Sequence, residues 1–170
     1  MNDTELIEKA HRYCMQAHHG QTRHDGSPYY RHPEAVADLL RQYGMEDSMT
    51  LAAAYLHDVL EDTSITHEQM ATEFGEPLTQ LVEELTNIGP PGRSFDEKHA
   101  ALAEEAARMS VRAKWVKLAD RLHNLSEMHV WPAHRQHRYA HATVTLLAAL
   151  RPWPCQELGQ AIEKAIKPLL

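Results

Sequence analysis

The amino-acid sequence predicts an all-α protein, a bundle of about eight to nine helices in a single domain that spans residues 1–170. Apolar residues recur at helical spacing along nearly the whole chain, and capping residues, glycines or prolines separate the periodic segments. No segment shows the period-two alternation of a half-buried strand. A chain of 170 residues is also long enough for one domain with a substantial core.

Five of the predicted helices lie in the first half of the chain. Glycine marks three of their ends, at Gly20, Gly44 and Gly75, where a left-handed backbone can close a helix. A capping box, Thr66-x-x-Gln69, opens the short fourth helix. In chain order, the five predicted ranges are 4–19, 33–43, 48–61, 66–75 and 77–86.

The second half of the chain begins with a break in the helical pattern. The segment Gly89-Pro90-Pro91-Gly92 is predicted to form a loop. Ser94-x-x-Glu97 is a second capping box, which opens the sixth helix, and Pro152 and Pro154 separate the last two helices. The predicted ranges after the loop are 94–108, 110–129, 133–150 and 154–167, of which 110–129 is the longest.

The composition argues against binding to nucleic acid or to an anionic membrane surface. The chain has 17 basic and 24 acidic residues, a formal net charge of −7, whereas such partners select a basic face. No apolar run is long enough for a membrane span, and the acidic N-terminus lacks the apolar core of a signal peptide. The two cysteines, Cys14 and Cys155, form no CxxC pair, so we expect a reduced, cytoplasmic protein.

Chemically reactive residues concentrate in the segment YLHDVLEDT, residues 55–63, which follows a run of leucine and alanine. A continuous helix would place His57 near Glu61, and Asp58 near Asp62, on one side. A protein core accepts such groups only when they are paired, hydrogen-bonded or bound to metal. A divalent ion would supply the missing positive charge.

Two further residues are candidate metal ligands on other helices. His32 stands at the start of the second helix, and Asp120 is a lone acid among residues at core spacing. With His57 and Asp58 they form a mixed nitrogen and oxygen set, which suits Mn²⁺, Fe²⁺ or Mg²⁺ better than a thiolate-rich structural zinc site. The alternative is a simple His57–Asp58 hydrogen bond near a helix end, with Asp62 an ordinary turn residue.

Four ordered sequence blocks carry a resemblance to a known family. They are His18-x-Gly20-Gln21-x-Arg23, Gly26-Ser27-Pro28-Tyr29-x-x-His32-Pro33, Ala54-x-Leu56-His57-Asp58-x-x-Glu61-Asp62-Thr63 and Val116-Lys117-Leu118-Ala119-Asp120-Arg121-Leu122-x-Asn124. In these blocks the chain resembles the HD-domain superfamily of metal-dependent phosphohydrolases. More narrowly, it resembles the hydrolase domain of RelA/SpoT homologues and the small alarmone hydrolases, including the metazoan SpoT homologue. The resemblance covers residues 4–150, and because no synthetase domain follows, we expect a stand-alone hydrolase.

The resemblance implies an enzyme that uses one Mn²⁺ ion to remove the 3′-pyrophosphate from (p)ppGpp, giving GDP or GTP and pyrophosphate. Mg²⁺, Fe²⁺ and Zn²⁺ are less favoured ions. The positions that match the family's metal ligands are His32, His57, Asp58 and Asp120. The positions that match its catalytic acids are Glu61 and Asp62. The nucleotide pocket is assigned to Arg23, His24 and Asn124.

Three departures from the family pattern fall on the substrate side. His24 stands where the family has lysine, Ser126 where it has arginine, and Ala142 where it has glutamate. The first two changes remove cations that could meet a phosphate or a base, although His24 can still donate hydrogen bonds. The adenosine analogue (p)ppApp, which would give ADP or ATP, is therefore a second substrate to consider.

Two other functions remain open. An HD phosphohydrolase of another nucleotide, such as a 5′-nucleotide or NADPH phosphatase, would use the same ligands but would not explain Glu61 and Asp62 together with Arg23. A non-catalytic alarmone-binding sensor would need the pocket alone, yet no ligand or catalytic acid is missing here. The sequence allows a homodimer and does not specify the oligomeric state.

The remaining histidines are predicted to lie outside the metal centre. His134, His137 and His141 recur among basic residues at i, i+3 and i+7, which favours a solvated helix face. His123 and His129 are interpreted as surface or helix-end groups. The tryptophans are interpreted as core or interface anchors: Trp115, Trp131 and Trp153.

Overall fold

The computed structural model of the protein describes residues 2–87 and 89–170. Within these ranges the predicted all-α fold is confirmed, with nine helices of at least eight residues and one four-residue helix. An isolated bridge between Thr22 and Pro28 is the one β-type contact there, and residues 89–92 form the predicted loop. The helices are α1 (Asp3–Ala17), α2 (Arg31–Gln42), α3 (Ser48–Leu56), α4 (Val59–Asp62), α5 (His67–Phe74), α6 (Glu76–Leu85), α7 (Phe95–Ala106), α8 (Val111–Glu127), α9 (Ala133–Ala149) and α10 (Gln156–Ile166). Short 3₁₀ turns follow α8 and α10, at Met128–Val130 and Lys167–Leu169.

Local sequence signals set the helix ends close to their predicted positions. In both predicted capping boxes the Thr66 and Ser94 side chains accept from the backbone N–H groups of Gln69 and Glu97, each over 3.3 Å. Gly44 follows α2 with a φ of 87°, a left-handed conformation that glycine adopts without a steric penalty. Each of these helix ends therefore has a local cause that is visible in the sequence.

The prediction of one continuous helix over residues 48–61 is wrong. The structure divides this segment at His57 and Asp58, where α3 ends and the short α4 begins. The His57 ring donates from Nδ1 to the Ala54 carbonyl oxygen over 2.7 Å. A side chain therefore satisfies one of the carbonyl groups that are left without a backbone partner at the end of α3. The backbone stays in the α region at both residues. The turn separates the two candidate ligands from the acids on α4.

The packing of the bundle brings three chain segments to one place. Every residue from Thr50 to Leu56 is buried, so α3 is a central helix of the bundle. Helices α1, α2 and α8 pack against α3, while α8 also packs against α2 and α10. Leu40 of α2 and Leu118 of α8 are among the largest fully buried side chains. The start of α2, the α3–α4 turn and the middle of α8 therefore meet.

Other features of the chain bear on predictions made from the sequence. Cys14 and Cys155 are both buried and free. The described part of the chain has no helix that is both long and apolar enough to cross a membrane. Trp153 is buried, whereas Trp115 and Trp131 are partly buried. As predicted, an exposed face of α9 carries His134, His137 and His141.

We expect Gly159→Ala to destabilise the protein, although alanine in a helix is usually more favourable than glycine by about 1 kcal/mol. Gly159 lies in α10 against the Trp153 ring, and a Cβ there would lie 2.1 Å from ring atom Cε3. The buried Trp153 indole donates to the Leu147 carbonyl oxygen over 2.9 Å, which restricts the movement of the ring. Overpacking of this kind costs roughly 1–3 kcal/mol and should lower Tm in thermal unfolding.

The matched control is Gln160→Ala, which changes the next, exposed residue of the same helix. A Tm for Gly159→Ala that equals or exceeds that of the wild-type protein would contradict the close packing of α10 on Trp153.

Candidate metal centre

The structure brings the four predicted ligands together where three helices meet. His32 is the second residue of α2, His57 and Asp58 form the α3–α4 turn, and Asp120 lies in the middle of α8. One donor atom from each of His32, His57 and Asp58 lies within 4.8 Å of the other two. Asp120 Oδ1 lies 3.1 Å from His32 Nε2 and 3.8 Å from His57 Nε2. Two buried imidazoles and two largely buried carboxylates thus share one site.

The orientation of His57 suits a bound cation. Because the Ala54 carbonyl oxygen can only accept, His57 Nδ1 carries a proton and Nε2 is the ring atom left for a ligand. This Nε2 is buried and has no hydrogen-bond partner within the described residues. It lies 3.1 Å from Asp58 Oδ2, in a direction that makes no hydrogen bond. A buried polar atom without a partner calls for an explanation, and a divalent ion among these donors provides one.

Electrostatics at the same residues favour a cation. Burial lowers the pKa of His57, but the charge of Asp58 and the contacts with Asp120 raise it by more, to about 10. Burial raises the pKa of Asp58, but the neighbouring His57 lowers it by more, below its usual range. Burial also raises the pKa of Asp120, but the charge of Lys117 and the contact with His32 lower it by more. The negative potential that holds a proton on the imidazole would equally attract a divalent ion, which competes with that proton.

Neighbouring side chains hold the candidate carboxylate ligands in place. The Tyr29 hydroxyl can donate to Asp58 Oδ2 over 2.8 Å. The Asn124 amide donates to Asp120 Oδ1 over 2.7 Å. Such outer contacts orient metal ligands and raise their affinity for the ion.

The predicted catalytic acids lie on α4, beside the centre, and reach solvent. The Tyr29 hydroxyl also lies 2.8 Å from Asp62 Oδ2, so one hydroxyl sets the spacing between a candidate ligand and a candidate base. Glu61 Oε2 accepts from the Asn87 backbone N–H over 3.0 Å. Partial burial raises the pKa of Glu61 and of Asp62, and the charge of Asp58 raises both further. A raised pKa suits a carboxylate to proton transfer near neutral pH.

The three predicted pocket residues line a cavity of about 360 Å³ next to the centre. The Arg23 side chain in this cavity is held by two hydrogen bonds. Its Nε donates to Glu127 Oε2 over 3.0 Å, and its Nη2 donates to Asn124 Oδ1 over 3.1 Å. Asn124 is fixed as well, since its amide oxygen accepts from Arg23 while its amide nitrogen donates to Asp120. Arg23 and Asn124 therefore form a rigid wall, and His24 remains exposed at the edge.

Sequence reasoning did not assign the other residues that line this cavity, among them Trp131 and Arg135. The Arg135 guanidinium lies 4.2 Å from the Trp131 ring centroid, and its Nη2 lies 3.5 Å from His24 Nε2. Stacking leaves the donors in the plane of the guanidinium free for an anion. In the sequence, the family pattern at Ala142 points to α9 as part of the substrate side, but nothing points to Arg135 or Trp131.

The interpretation of His123 as a surface or helix-end group is wrong. Its side chain is only 15 % exposed, and its Nδ1 lies 2.8 Å from His32 Nδ1. Burial and the neighbouring His32 lower the pKa of His123 to about 4, which favours the neutral ring near pH 7. A signal was present, because His123 follows Asp120 by three residues and so shares its face of α8. His129 is exposed, as predicted.

Comparison with known proteins identifies the family. The HD-domain profile HD_4 matches residues 10–152. The chain belongs to the HD-domain family. This HD-domain chain is 40% identical over 151 residues to a probable guanosine-3′,5′-bis(diphosphate) 3′-pyrophosphohydrolase of Synechocystis sp. (strain ATCC 27184 / PCC 6803 / Kazusa), covering 85% of the chain and 20% of the relative. It is 34% identical over 172 residues to a probable GTP pyrophosphokinase of Mycobacterium leprae (strain TN), covering 92% of this chain and 21% of the relative.

The HD-domain chain thus spans about a fifth of the length of these curated relatives. It matches a solved structure over the length of both chains. That structure, described as a metazoan ortholog of SpoT that hydrolyzes ppGpp and plays a role in starvation responses, has a TM-score of 0.87, 29% identity and 97% coverage of each chain. The structure of lmo0812 from Listeria monocytogenes EGD-e has a TM-score of 0.66 at 24% identity, with 85% of this chain and 98% of the other covered. The second match shows the shared fold alone.

We expect protein purified without chelator to contain about one equivalent of divalent metal, because His32, His57, Asp58 and Asp120 form one set of donors. His57→Ala should lose most of this metal, measured by inductively coupled plasma mass spectrometry. His134→Ala, at an exposed position of α9, is the control and should keep its metal. Full metal content in His57→Ala would show that the ligand assignment is wrong.

Proposed function

We propose that this HD-domain chain hydrolyses the 3′-pyrophosphate of (p)ppGpp and of (p)ppApp, with Mn²⁺ as its metal. Water would attack the 3′-pyrophosphate, leaving GDP or GTP from the guanosine substrates, ADP or ATP from the adenosine substrates, and free pyrophosphate. One observation carries the proposal: the Tyr29 hydroxyl lies 2.8 Å from both Asp58, a candidate ligand, and Asp62, a candidate base. The similarity to the Synechocystis relative and to the metazoan SpoT ortholog supports the choice of substrate.

The four candidate ligands would hold the ion through His32 Nε2, His57 Nε2 and one oxygen each of Asp58 and Asp120. A divalent ion held there supplies Lewis-acid activation of water and neutralises charge on a phosphoryl group. Tyr29 and Asn124 keep the two carboxylates in position through the hydrogen bonds described above. Two nitrogen and two oxygen donors support Mn²⁺ over a thiolate-preferring ion.

Glu61 and Asp62 would orient the attacking water and accept its proton. Their raised pKa values and their contact with solvent support this role. The backbone N–H of Asn87 donates to Glu61, and the Tyr29 hydroxyl that holds Asp58 lies 2.8 Å from Asp62 Oδ2. These contacts support the assignment of the two acids as a base and a water-orienting group.

The nucleotide would occupy the cavity between the metal centre and Trp131. Because Glu127 neutralises Arg23, the cationic group left to meet a phosphate or a purine face is Arg135, with His24 beside it. Stacked cationic and aromatic groups bind either purine without reading its edge.

The free thiols of Cys14 and Cys155 support a protein that works in the reducing cytoplasm.

We expect Glu61→Gln and Asp62→Asn to lower turnover by roughly 10²-fold or more, because the amide keeps the size of the acid and removes the base. Metal content should stay at the wild-type level. Glu68→Gln, an exposed change on α5, is the control for both. Metal and activity that disappear together would instead make these acids ligands.

We expect ppGpp and ppApp to be cleaved with kcat/KM values within about one order of magnitude of each other, because stacking on Arg135 and Trp131 does not read the edge of a base. GTP and ATP should remain intact, since neither carries a 3′-pyrophosphate. Chromatography of the nucleotide products formed with Mn²⁺ measures all four rates, and dNTPs and NADPH extend the series. Hydrolysis of 5′-triphosphates or NADPH with untouched ppGpp and ppApp would favour another HD phosphohydrolase. Binding without any turnover would favour a sensor.

A further inference from the structure

A chain of polar contacts leads outward from one candidate ligand, His32. If His32 Nε2 faces the ion, its Nδ1 carries a proton and must donate. The atom 2.8 Å away is Nδ1 of His123, which must then accept. His123 consequently carries its own proton on Nε2, which lies 3.6 Å from Glu127 Oε1.

The same chain of contacts returns to the centre through the cavity wall. Glu127 Oε2 accepts from Arg23 Nε over 3.0 Å. Arg23 Nη2 donates to Asn124 Oδ1 over 3.1 Å, and Asn124 Nδ2 donates to Asp120 Oδ1 over 2.7 Å. Asp120 Oδ1 in turn lies 3.1 Å from His32 Nε2, where the chain of contacts began. The contacts therefore form a closed ring.

Every contact of the ring pairs a donor with an acceptor except the last, where His32 Nε2 and Asp120 Oδ1 would both face the ion. His32 donates toward His123, which donates toward Glu127; Arg23 donates to Glu127 on one side and toward Asn124 on the other. Three of its members, His123, Asn124 and Glu127, follow Asp120 on one face of α8 at intervals of three, four and seven residues. One helix face thus reaches both the centre and the cavity wall.

We propose that His123 and Glu127 are positioning residues that couple the metal ligands His32 and Asp120 to Arg23 in the wall of the nucleotide cavity. This inference rests on the proposed metal centre. His123 fixes the tautomer and the ring plane of His32. Glu127 fixes His123 and Arg23 together, so a change at either residue alters metal affinity although neither touches the ion.

The decisive experiment measures the Kd for Mn²⁺ of chelator-treated protein, by electron paramagnetic resonance of the free ion, and needs no substrate. His123→Leu removes the acceptor for His32 and should weaken Mn²⁺ binding by about 10–100-fold, the usual effect of an outer-shell partner. His123→Asn can place an amide oxygen where Nδ1 stood, so its affinity should remain within the same order of magnitude as that of wild type. His134→Leu on α9 is the matched control and should leave the Kd unchanged.

A double-mutant cycle separates coupling from simple packing. If His123 and Glu127 act through each other, the effects of His123→Leu and Glu127→Gln on the Kd are not additive, and the double variant is little worse than His123→Leu alone. Additive effects, or equal losses in His123→Leu and His123→Asn, would overturn the positioning role. If His123→Leu does not fold, His123→Ala, which also removes the acceptor, replaces it in the cycle under the same criterion.

The outcomes also distinguish this inference from the proposed function. A wild-type protein that binds no Mn²⁺ would overturn both. Wild-type binding with an unchanged Kd in His123→Leu would overturn the ring alone and leave the metal centre in place.

Discussion

Two carboxylates and two imidazoles lie together at the junction of α2, α8 and the α3–α4 turn, and the cost of placing them there constrains the structure around them. Ionised groups removed from water need a partner of opposite charge or a metal. Asp58 and Asp120 each lie within 4 Å of the buried rings of His32 and His57. A divalent cation would satisfy all four at once. The fold supplies the helices that carry the donors, and the cavity beside them would give a substrate access to the proposed ion.

Helix packing alone would not orient the candidate ligands, and hydrogen bonds from neighbouring residues complete their orientation. A helix sets the position of a side chain's first atoms, but the plane of an imidazole or a carboxylate depends on a further hydrogen bond. Here that bond comes from the Ala54 carbonyl for His57, from Tyr29 for Asp58 and from Asn124 for Asp120. The interruption between α3 and α4 belongs to the same arrangement, because a uniform helix would have kept the Ala54 carbonyl for its own backbone.

The helices and the residues of the candidate centre could be predicted from the sequence because their signals are local. Capping boxes and apolar spacing act within a few residues, and the blocks around His57 and Asp120 each have a recognisable internal spacing. The break at His57 could not be predicted in this way, since the apolar run continues and both turn residues keep α-region backbone. The break depends on the hydrogen bond from His57 Nδ1 to the Ala54 carbonyl oxygen.

The contacts that sequence reasoning missed join distant parts of the chain. His32 and His123 are 91 residues apart, Arg23 and Glu127 are 104 apart, and His24 and Arg135 are 111 apart. The spacing of His123 from Asp120 indicates a shared face of α8, but it does not show whether solvent or another histidine lies opposite. Only the packing of α2 against α8 decides which. The proposed nucleotide cavity is built from these contacts, so it was the part least accessible to sequence reasoning.

The most direct test of the central claim is a crystal structure of the protein grown with Mn²⁺, with anomalous scattering data collected at the manganese edge. The account predicts a single strong anomalous peak about 2 Å from His32 Nε2, His57 Nε2 and one oxygen each of Asp58 and Asp120, a bonding distance for such ligands. No peak at these residues, or a peak elsewhere on the chain, would contradict it.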